Sequence, residues 1–113
     1  MIETPAWFGA RLLFEQSFAN GKEAPSLFEE RVVLLKSVSG MADAEKKAAK
    51  LGRAASHSYK NVDGETVAWA FKEVLDVVQL SDAEIGEGSE VYSHLLGPDD
   101  VKNVRASLSA SRA

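Results

Sequence analysis

Two histidines, His57 and His94, are the only side chains in this sequence whose ordinary titration lies near neutrality. The chain has no cysteine, which excludes thiol catalysis, thiolate metal sites and disulfides together. Acid–base or metal chemistry would therefore need a histidine to meet carboxylates in space, because neither sits in a His-Glu-x-x-His or comparable ligand spacing. One reading is a small enzyme or metal-dependent hydrolase using His57 or His94 with carboxylates. The other is that both are ordinary histidines, with no catalytic residue, no metal ligand and no cofactor assigned. Gly86-Glu87-Gly88-Ser89 has the outline of a phosphate loop. It lacks a lysine, leads into no helix and is ringed by Glu84, Glu87 and Glu90, which repel an anion, so it reads as a turn.

Recognition is better supplied than catalysis. Trp7 and Arg11 fall on one face of a strand and could stack together for a partner, or merely cover each other. Glu29, Glu30 and Arg31, with Glu90 and Tyr92, put polar groups inside strands. They either line a ligand face or form cross-strand ion pairs, each worth about 0.2–1 kcal/mol. Lys46, Lys50 and Arg53, flanked by Lys47, make a basic helix face, which gives a third reading as a weak nucleic-acid binder. No aromatic residues are interleaved, so the stripe reads as the wet side of an amphipathic helix and nucleic acid is not the expected partner.

The elements that must carry these groups follow from periodicity. Trp7 to Phe18 alternates, with Phe8, Ala10, Leu12, Phe14 and Phe18 on one face and Trp7, Arg11 and Glu15 on the other, which predicts a half-buried strand. Residues Ala19 to Ser26 form a loop, with Asn20-Gly21 as the turn and Pro25 barring further pairing. A second strand from about Leu27 to Val38 carries Phe28, Val32 and Leu34 beside Glu30, with Val33 and Leu35 apolar on the reverse, as if covered on both sides. A short connection makes the two strands antiparallel neighbours. Met41 to His57 reads as a helix with Ala44, Ala48, Leu51 and Ala55 in one stripe, capped at Ser39 or Gly40. Gly52 either ends it or lets it pack closely.

The longest apolar run, Gly64 to Leu80, fits two patterns. On a helical wheel Val67, Ala70, Phe71, Val74, Leu75 and Val78 form one arc; as a strand, Val67, Trp69 and Phe71 share a face until Lys72 and Glu73 interrupt, where a bulge could switch faces. Its Val, Thr, Trp and Phe content and the Asp63-Gly64 turn favour the strand. Residues 81–89 read as loop. Glu90 to Leu96 alternates like a short strand, stopped by Gly97-Pro98. Val101, Val104 and Leu108 have helical spacing behind Asp99 and Asp100.

At 113 residues and 45% hydrophobic content the chain is sized for one domain with its own core. The start, Met1-Ile2-Glu3-Thr4-Pro5, has neither the basic nor the apolar region of a secretory leader, and no apolar run nears the roughly 20 residues of a membrane span, so a cytoplasmic protein is expected. The net charge of −4 is uneven: five basic residues face two acids between Met41 and Lys60, whereas ten acids face two lysines between Asn61 and Val104. That polarity favours oriented association and opposes general nucleic-acid binding.

Five short motifs lie in order along the chain: Trp7-Phe8-x-Ala10, Phe28-Glu29-Glu30-Arg31, Ala48-x-x-Leu51-Gly52, Val67-x-Trp69-x-Phe71-x-x-Val74-x-Asp76-Val77 and Gly88-x-Glu90-Val91-Tyr92-Ser93. Together they resemble a small bacterial family known only as domain of unknown function 4288, over about Ala6 to Leu96. Members of that family often carry polar residues where Ala68 and Ala70 stand, which implies that the central run is a strand. The chain departs from the pattern at Glu73, where a small residue is common. The resemblance implies no activity, so no catalytic role is carried over.

The expected fold is therefore α+β in the order β-β-α-β-β. An antiparallel sheet has one main helix on one face, residues 1–96 form a single domain, and the tail 97–113 is partly helical or disordered. The expected function is a small non-enzymatic binding module, with Trp7, Arg11, Glu29, Glu30, Arg31, Glu90 and Tyr92 as binding candidates. A protein partner, no membrane, and a monomer or weak homodimer with the tail at best partly docked complete the expectation.

Overall fold

Strict alternation from Trp7 to Phe14 demands one buried face, and the computed structural model puts that strand in the interior of the sheet. The structure describes residues 5–18 and 27–112. Its elements are β1 (Ala6–Phe18), β2 (Phe28–Ser37), α1 (Met41–Ala55), β3 (His57–Lys60), β4 (Thr66–Gln79) and α2 (Pro98–Arg112). The four strands form one antiparallel sheet in the order β2-β1-β4-β3, with α1 across one face, so the α+β class and the β-β-α-β-β order both hold. The loop expected over Ala19–Ser26, with its Asn20-Gly21 turn and Pro25, lies outside the described residues, as does the start Met1–Thr4.

Directly paired residues share a sheet face. Phe8, Ala10, Leu12 and Phe14 point at α1, each at 1% exposure or less, and Leu35, Val33 and Val77 join them from the flanking strands. From α1 come Ala44, Ala48 and Gly52, all buried. Gly52 does not end the helix. A Cβ there would overlap the Phe71 ring, so its bare backbone lets α1 lie down on β4. The helix starts after Gly40, whose φ of 85° suits glycine. Ser37 donates to Asp43 at 2.6 Å and accepts from the Ser39 amide at 3.2 Å, tying the end of β2 to the first turn of α1.

β4 is extended throughout, and its register explains the double pattern of the sequence. Arg11 faces Asp76 but Leu12 faces Val74, and Leu13 faces Glu73 but Phe14 faces Phe71. Two bulges thus leave Leu75 and Lys72 without partners, each turning the strand by one residue. The core face is carried by Val67, Trp69, Phe71, Val74 and Val77. The three-residue steps from Phe71 to Val77 imitate a helix although every step is strand. Leu75 is exposed at its bulge, while Val77 is buried against β1.

Two expectations about strands are corrected. Glu90 to Leu96 is not a strand: residues 90–97 join no ladder, and at Val91 and Tyr92 they lie over Gly9 on the face of the sheet opposite α1. The remaining strand is instead β3. It replaces the end of the expected helix, which stops at Ala55. β3 is held by the Asn61–Gly64 turn, where Asn61 Oδ1 accepts from the amides of Asp63 and Glu65 at 3.0 and 2.9 Å. Nor is the middle of β2 covered on both sides. Val33 and Leu35 face α1, whereas Phe28, Val32 and Leu34 remain exposed.

The tail is a helix. Pro98 occupies its first position and the Asp100 carboxylate accepts from the Gly97 amide at 3.0 Å, one half of a capping box. Among the described residues α2 packs on none of the strands and not on α1.

Gly52→Ala gains about 1 kcal/mol of helix propensity, but Phe71 is wedged edge-on against Phe14 with ring centroids 5.8 Å apart and cannot simply swing away. Overpacking costs about 1–3 kcal/mol and the overlap places this site in the upper part of that range, so after the propensity gain the variant is expected to lose a net of about 1–2 kcal/mol. Denaturant unfolding checks this, and a variant as stable as the parent contradicts the close α1–β4 contact.

Candidate functional site

The face without α1 is where charged and aromatic groups meet. β1 contributes Trp7, Gly9, Arg11, Leu13 and Glu15 to it; β2 contributes Glu30, Val32, Leu34 and Lys36; and β4 contributes Glu73, Asp76 and Val78. Residues 81–97 leave the end of β4, fixed where the Leu80 amide donates to the Trp7 carbonyl at 2.9 Å, and return over this face as a strap. The strap passes over Gly9, where the Val91 carbonyl and the Tyr92 Cα occupy the space that a Cβ would need. That approach lowers Tyr92 onto the sheet.

Tyr92 then joins a chain of contacts. Its phenol donates to Asp76 Oδ2 at 2.6 Å, and the Arg11 guanidinium lies 5.4 Å from its ring centre. Arg11 meets Glu30 in a two-pronged pair, Nε to Oε1 at 2.5 Å and Nη2 to Oε2 at 2.9 Å. His94 Nδ1 lies 3.2 Å from the Tyr92 oxygen, and the two rings meet edge-on at 5.3 Å. Because the phenol proton is directed at Asp76, Nδ1–H is the donor in the last contact, which leaves His94 Nε2 facing outward.

The electrostatics follow from these contacts. The hydrogen bond from Arg11 holds the Glu30 carboxyl below its ordinary value of 4.5, against the opposing effect of partial burial, and the charges of Arg11 and His94 add to the lowering. The hydrogen bond to Glu30 in turn raises Arg11, so the guanidinium stays charged at any accessible pH. Desolvation, followed by the hydrogen bond to Asp76, pushes the Tyr92 phenol up from 10.0. Tyr92 is therefore a held donor and aromatic surface rather than a nucleophile. Depression of Glu30 means that the pair stabilises the fold above about pH 4.5 and that this contribution disappears as the pH falls lower. With the two side chains 24% and 43% exposed, its size is below about 1 kcal/mol.

Of the seven binding candidates the structure gathers three, Arg11, Glu30 and Tyr92. Glu29 and Arg31 alternate to the other face and pair with each other there, the Arg31 guanidinium lying 4.0 Å from the Phe14 ring centre. Three consecutive strand residues cannot share a face. Trp7 lies on the strap side but stacks with Lys36, whose Nζ is 4.7 Å from its ring centre, and not with Arg11. Glu90 is exposed and stays outside the cluster. Asp76 and His94 enter the site without having been singled out for it. The bulges hide the position of Asp76, and His94 is signalled only by its two-residue spacing from Tyr92.

The two histidines do not converge. His57 is paired with Trp69 on the α1 side of the sheet, with Nδ1 3.1 Å from the Ala55 carbonyl and its ring stacked on Tyr59. Two shallow grooves, of about 310 and 240 Å³, run along the outer side of β4 by Glu45 and beneath Pro5, and neither is lined by a histidine. Among the described residues no group of three or more His, Asp and Glu side chains is arranged to hold a metal ion. On the basic face of α1, Lys47 is occupied: it donates to the Lys36 carbonyl at 2.9 Å and lies 3.8 Å from Asp43.

A family model described as a domain of unknown function (DUF4288) matches residues 7–93. The chain belongs to this family. The DUF4288 match opens at Trp7 and closes just past Tyr92, so it takes in the sheet, α1 and the strap contact over Gly9, and it leaves His94 and α2 beyond its end. No curated protein and no solved structure matches the chain. Among the described residues no helix is long and apolar enough to cross a membrane.

Two substitutions test the site. Gly9→Ala drives a methyl group into strap backbone and is expected to release residues 91–96, moving the Tyr92 and His94 ring resonances toward those of a free peptide while β1 and β4 keep their amide protection; unchanged ring resonances would contradict the close approach. Glu30→Gln should lower thermal stability slightly near neutral pH, and its difference from the parent should shrink as the pH falls below about 4.5 and vanish once the depressed carboxyl is protonated. A difference that grows on acidification reverses the sign and refutes the pairing.

Proposed function

We propose that this DUF4288 chain is a small, non-enzymatic, cytoplasmic binding module that receives a basic segment of a protein partner on the strap-covered face of its sheet. The observation that carries this reading is the Arg11–Glu30–Tyr92–Asp76–His94 cluster, with its groups fixed by mutual hydrogen bonds on a rigid sheet and open to solvent. Arginine and tyrosine are the side chains that interfaces favour as anchors, because they combine large contact area with directed hydrogen bonds. Glu15, Glu73 and Asp76 lie on the same face, and Asp82, Glu84, Glu87 and Glu90 follow along the strap, with no lysine or arginine between Glu73 and Val101. A positively charged partner is steered to such a surface and an anionic one is turned away.

The opposing reading, acid–base catalysis by His94 coupled through Tyr92 to Asp76, has the hydrogen-bonded chain in its favour. Against it, the phenol is harder to ionise than usual and the cluster has no enclosing walls to exclude water.

Immobilised chain exposed to extract of its source cell is expected to retain a basic protein that elutes as salt is raised past a few tenths molar, where charges are screened within about 5 Å. Glu73→Lys combined with Asp76→Lys should abolish retention, while Lys46→Glu combined with Lys50→Glu on α1 should leave it intact. Retention that depends on the α1 face, or a hydrolytic activity lost in His94→Ala, would replace this reading.

A further inference from the structure

The two margins of the sheet differ. On the outer side of β4, β3 covers Thr66–Trp69, the Phe71 amide donates to Ser56 Oγ at 2.9 Å, the Val77 amide to Asp76 Oδ1 at 2.9 Å, and the bulges at Lys72 and Leu75 twist the rest away from a flat edge. β2 is less protected: a side chain covers its Lys36 carbonyl, that of Lys47, but its register with β1 runs without a shift from Phe28 to Ser37, it contains no proline, and among the described residues no strand lies on its other side.

The direction of its free backbone groups can be read from two contacts. The Leu27 carbonyl accepts from the Gln16 amide of β1 at 2.9 Å, and the Lys36 carbonyl accepts instead from Lys47 of α1. Odd-numbered residues of β2 therefore turn their backbone groups to β1 and even-numbered ones turn theirs outward. The even-numbered residues also carry the exposed apolar side chains: Phe28 at 54%, Val32 at 44% and Leu34 at 37%, with Val38 at 47% just beyond the strand. Read outward, the row is Phe28, Glu30, Val32, Leu34, Lys36, Val38, which is apolar, acidic, apolar, apolar, basic, apolar. The row is its own complement when reversed.

We propose that β2 pairs with β2 of a second copy of this chain about a two-fold axis at Val33, joining the two sheets into one of eight strands. In that register Glu30 faces Lys36 of the partner subunit, Val32 faces its Leu34 and Phe28 faces its Val38. Within β2 these are outward-directed residues: Val32 and Leu34 exchange both backbone hydrogen bonds, and Glu30 and Lys36 do so once the Lys36 carbonyl is shared with or released by Lys47. Shifting the axis to Val32 puts Glu30 opposite leucine and Phe28 opposite lysine. Moving it to Leu34 puts Val32 opposite lysine and leaves Glu30 against Val38. Only the axis at Val33 pairs the charges and keeps the apolar residues together. A second copy fits this edge better than an unrelated strand, because the match is between the strand and itself. The pairing leaves the Arg11–Tyr92 cluster uncovered and repeats it on the same side of the joined sheet, so it stands whether or not the basic-partner reading does.

Sedimentation of the full chain over a range from about 1 to 200 μM tests it. The parent is expected to be dimeric at the upper end. Leu34→Pro removes an outward amide that the monomer does not use, and should give a monomer with unchanged circular dichroism. Should that variant fail to fold, Lys36→Glu takes its place. Lys36→Glu and Glu30→Lys each set like charges face to face and should weaken dimerisation at least about tenfold. Mixed in equal amounts, they restore both opposite-charge pairs and should form a heterodimer. A parent chain that stays monomeric, a folded Leu34→Pro that still dimerises, or a mixture that remains monomeric overturns the proposal.

Discussion

The constraint on which the structure depends is that β1 is approached by backbone on one face and by a helix stripped of bulk on the other. On the α1 side, Ala44, Ala48 and Gly52 let the helix axis come close enough to seal Phe8, Ala10, Leu12 and Phe14 from water. On the other side Gly9 lets the Val91 carbonyl rest on the strand. Both contacts are made possible by missing side chains. A sheet of four strands cannot bury both faces with one helix, and the strap supplies the second layer along only part of β1. What it leaves bare is the β2 half of that face, the part that carries Phe28, Val32 and Leu34.

Much of this was legible in the sequence because β1 and α1 each repeat a single period, whereas the apolar run Val32–Leu35 of β2 suggested cover on both faces. The burial of β1 follows its alternation residue by residue, and the alanine stripe of α1 marks the face that packs. Legibility failed where the period is broken or shared. In β4 the two bulges convert a two-residue repeat into steps of three, so Phe71, Val74 and Val77 satisfy a helical wheel while lying on a sheet. β3 spans four exposed residues, too few to show any repeat, and its pairing rests on the Asn61 turn. The alternation of the strap does not report burial: its apolar side is exposed, Val91 at 40% and Leu95 at 101%, and the side with Tyr92 and His94 is the one that meets the sheet.

The candidate site divides in the same way. Arg11, Glu30 and Tyr92 could be named in advance as polar groups within strand-like segments, yet Glu29 and Arg31 were grouped with Glu30 although alternation alone sends them to the opposite face. Asp76 could not be found because its register depends on the position of the bulge at Leu75. Family membership adds no chemistry, and the cluster must be interpreted from its own donors, acceptors and charge.

The strap also sets where stability is spent. Tyr92 and His94 belong to a segment with no ladder of its own, fixed by one phenol–carboxylate bond, one ring–guanidinium contact and the fit over Gly9. Its free energy of opening is therefore a fraction of that of the sheet beneath it, and the two need not melt together. When the strap lifts, Arg11 keeps Glu30, Asp76 keeps the Val77 amide but loses the Tyr92 phenol, and Gly9 is uncovered. The molecule then presents a different surface without unfolding. The composition of the recognition face is thus governed by a local equilibrium within the native basin, and any ligand that touches Tyr92 draws on that equilibrium for part of its affinity.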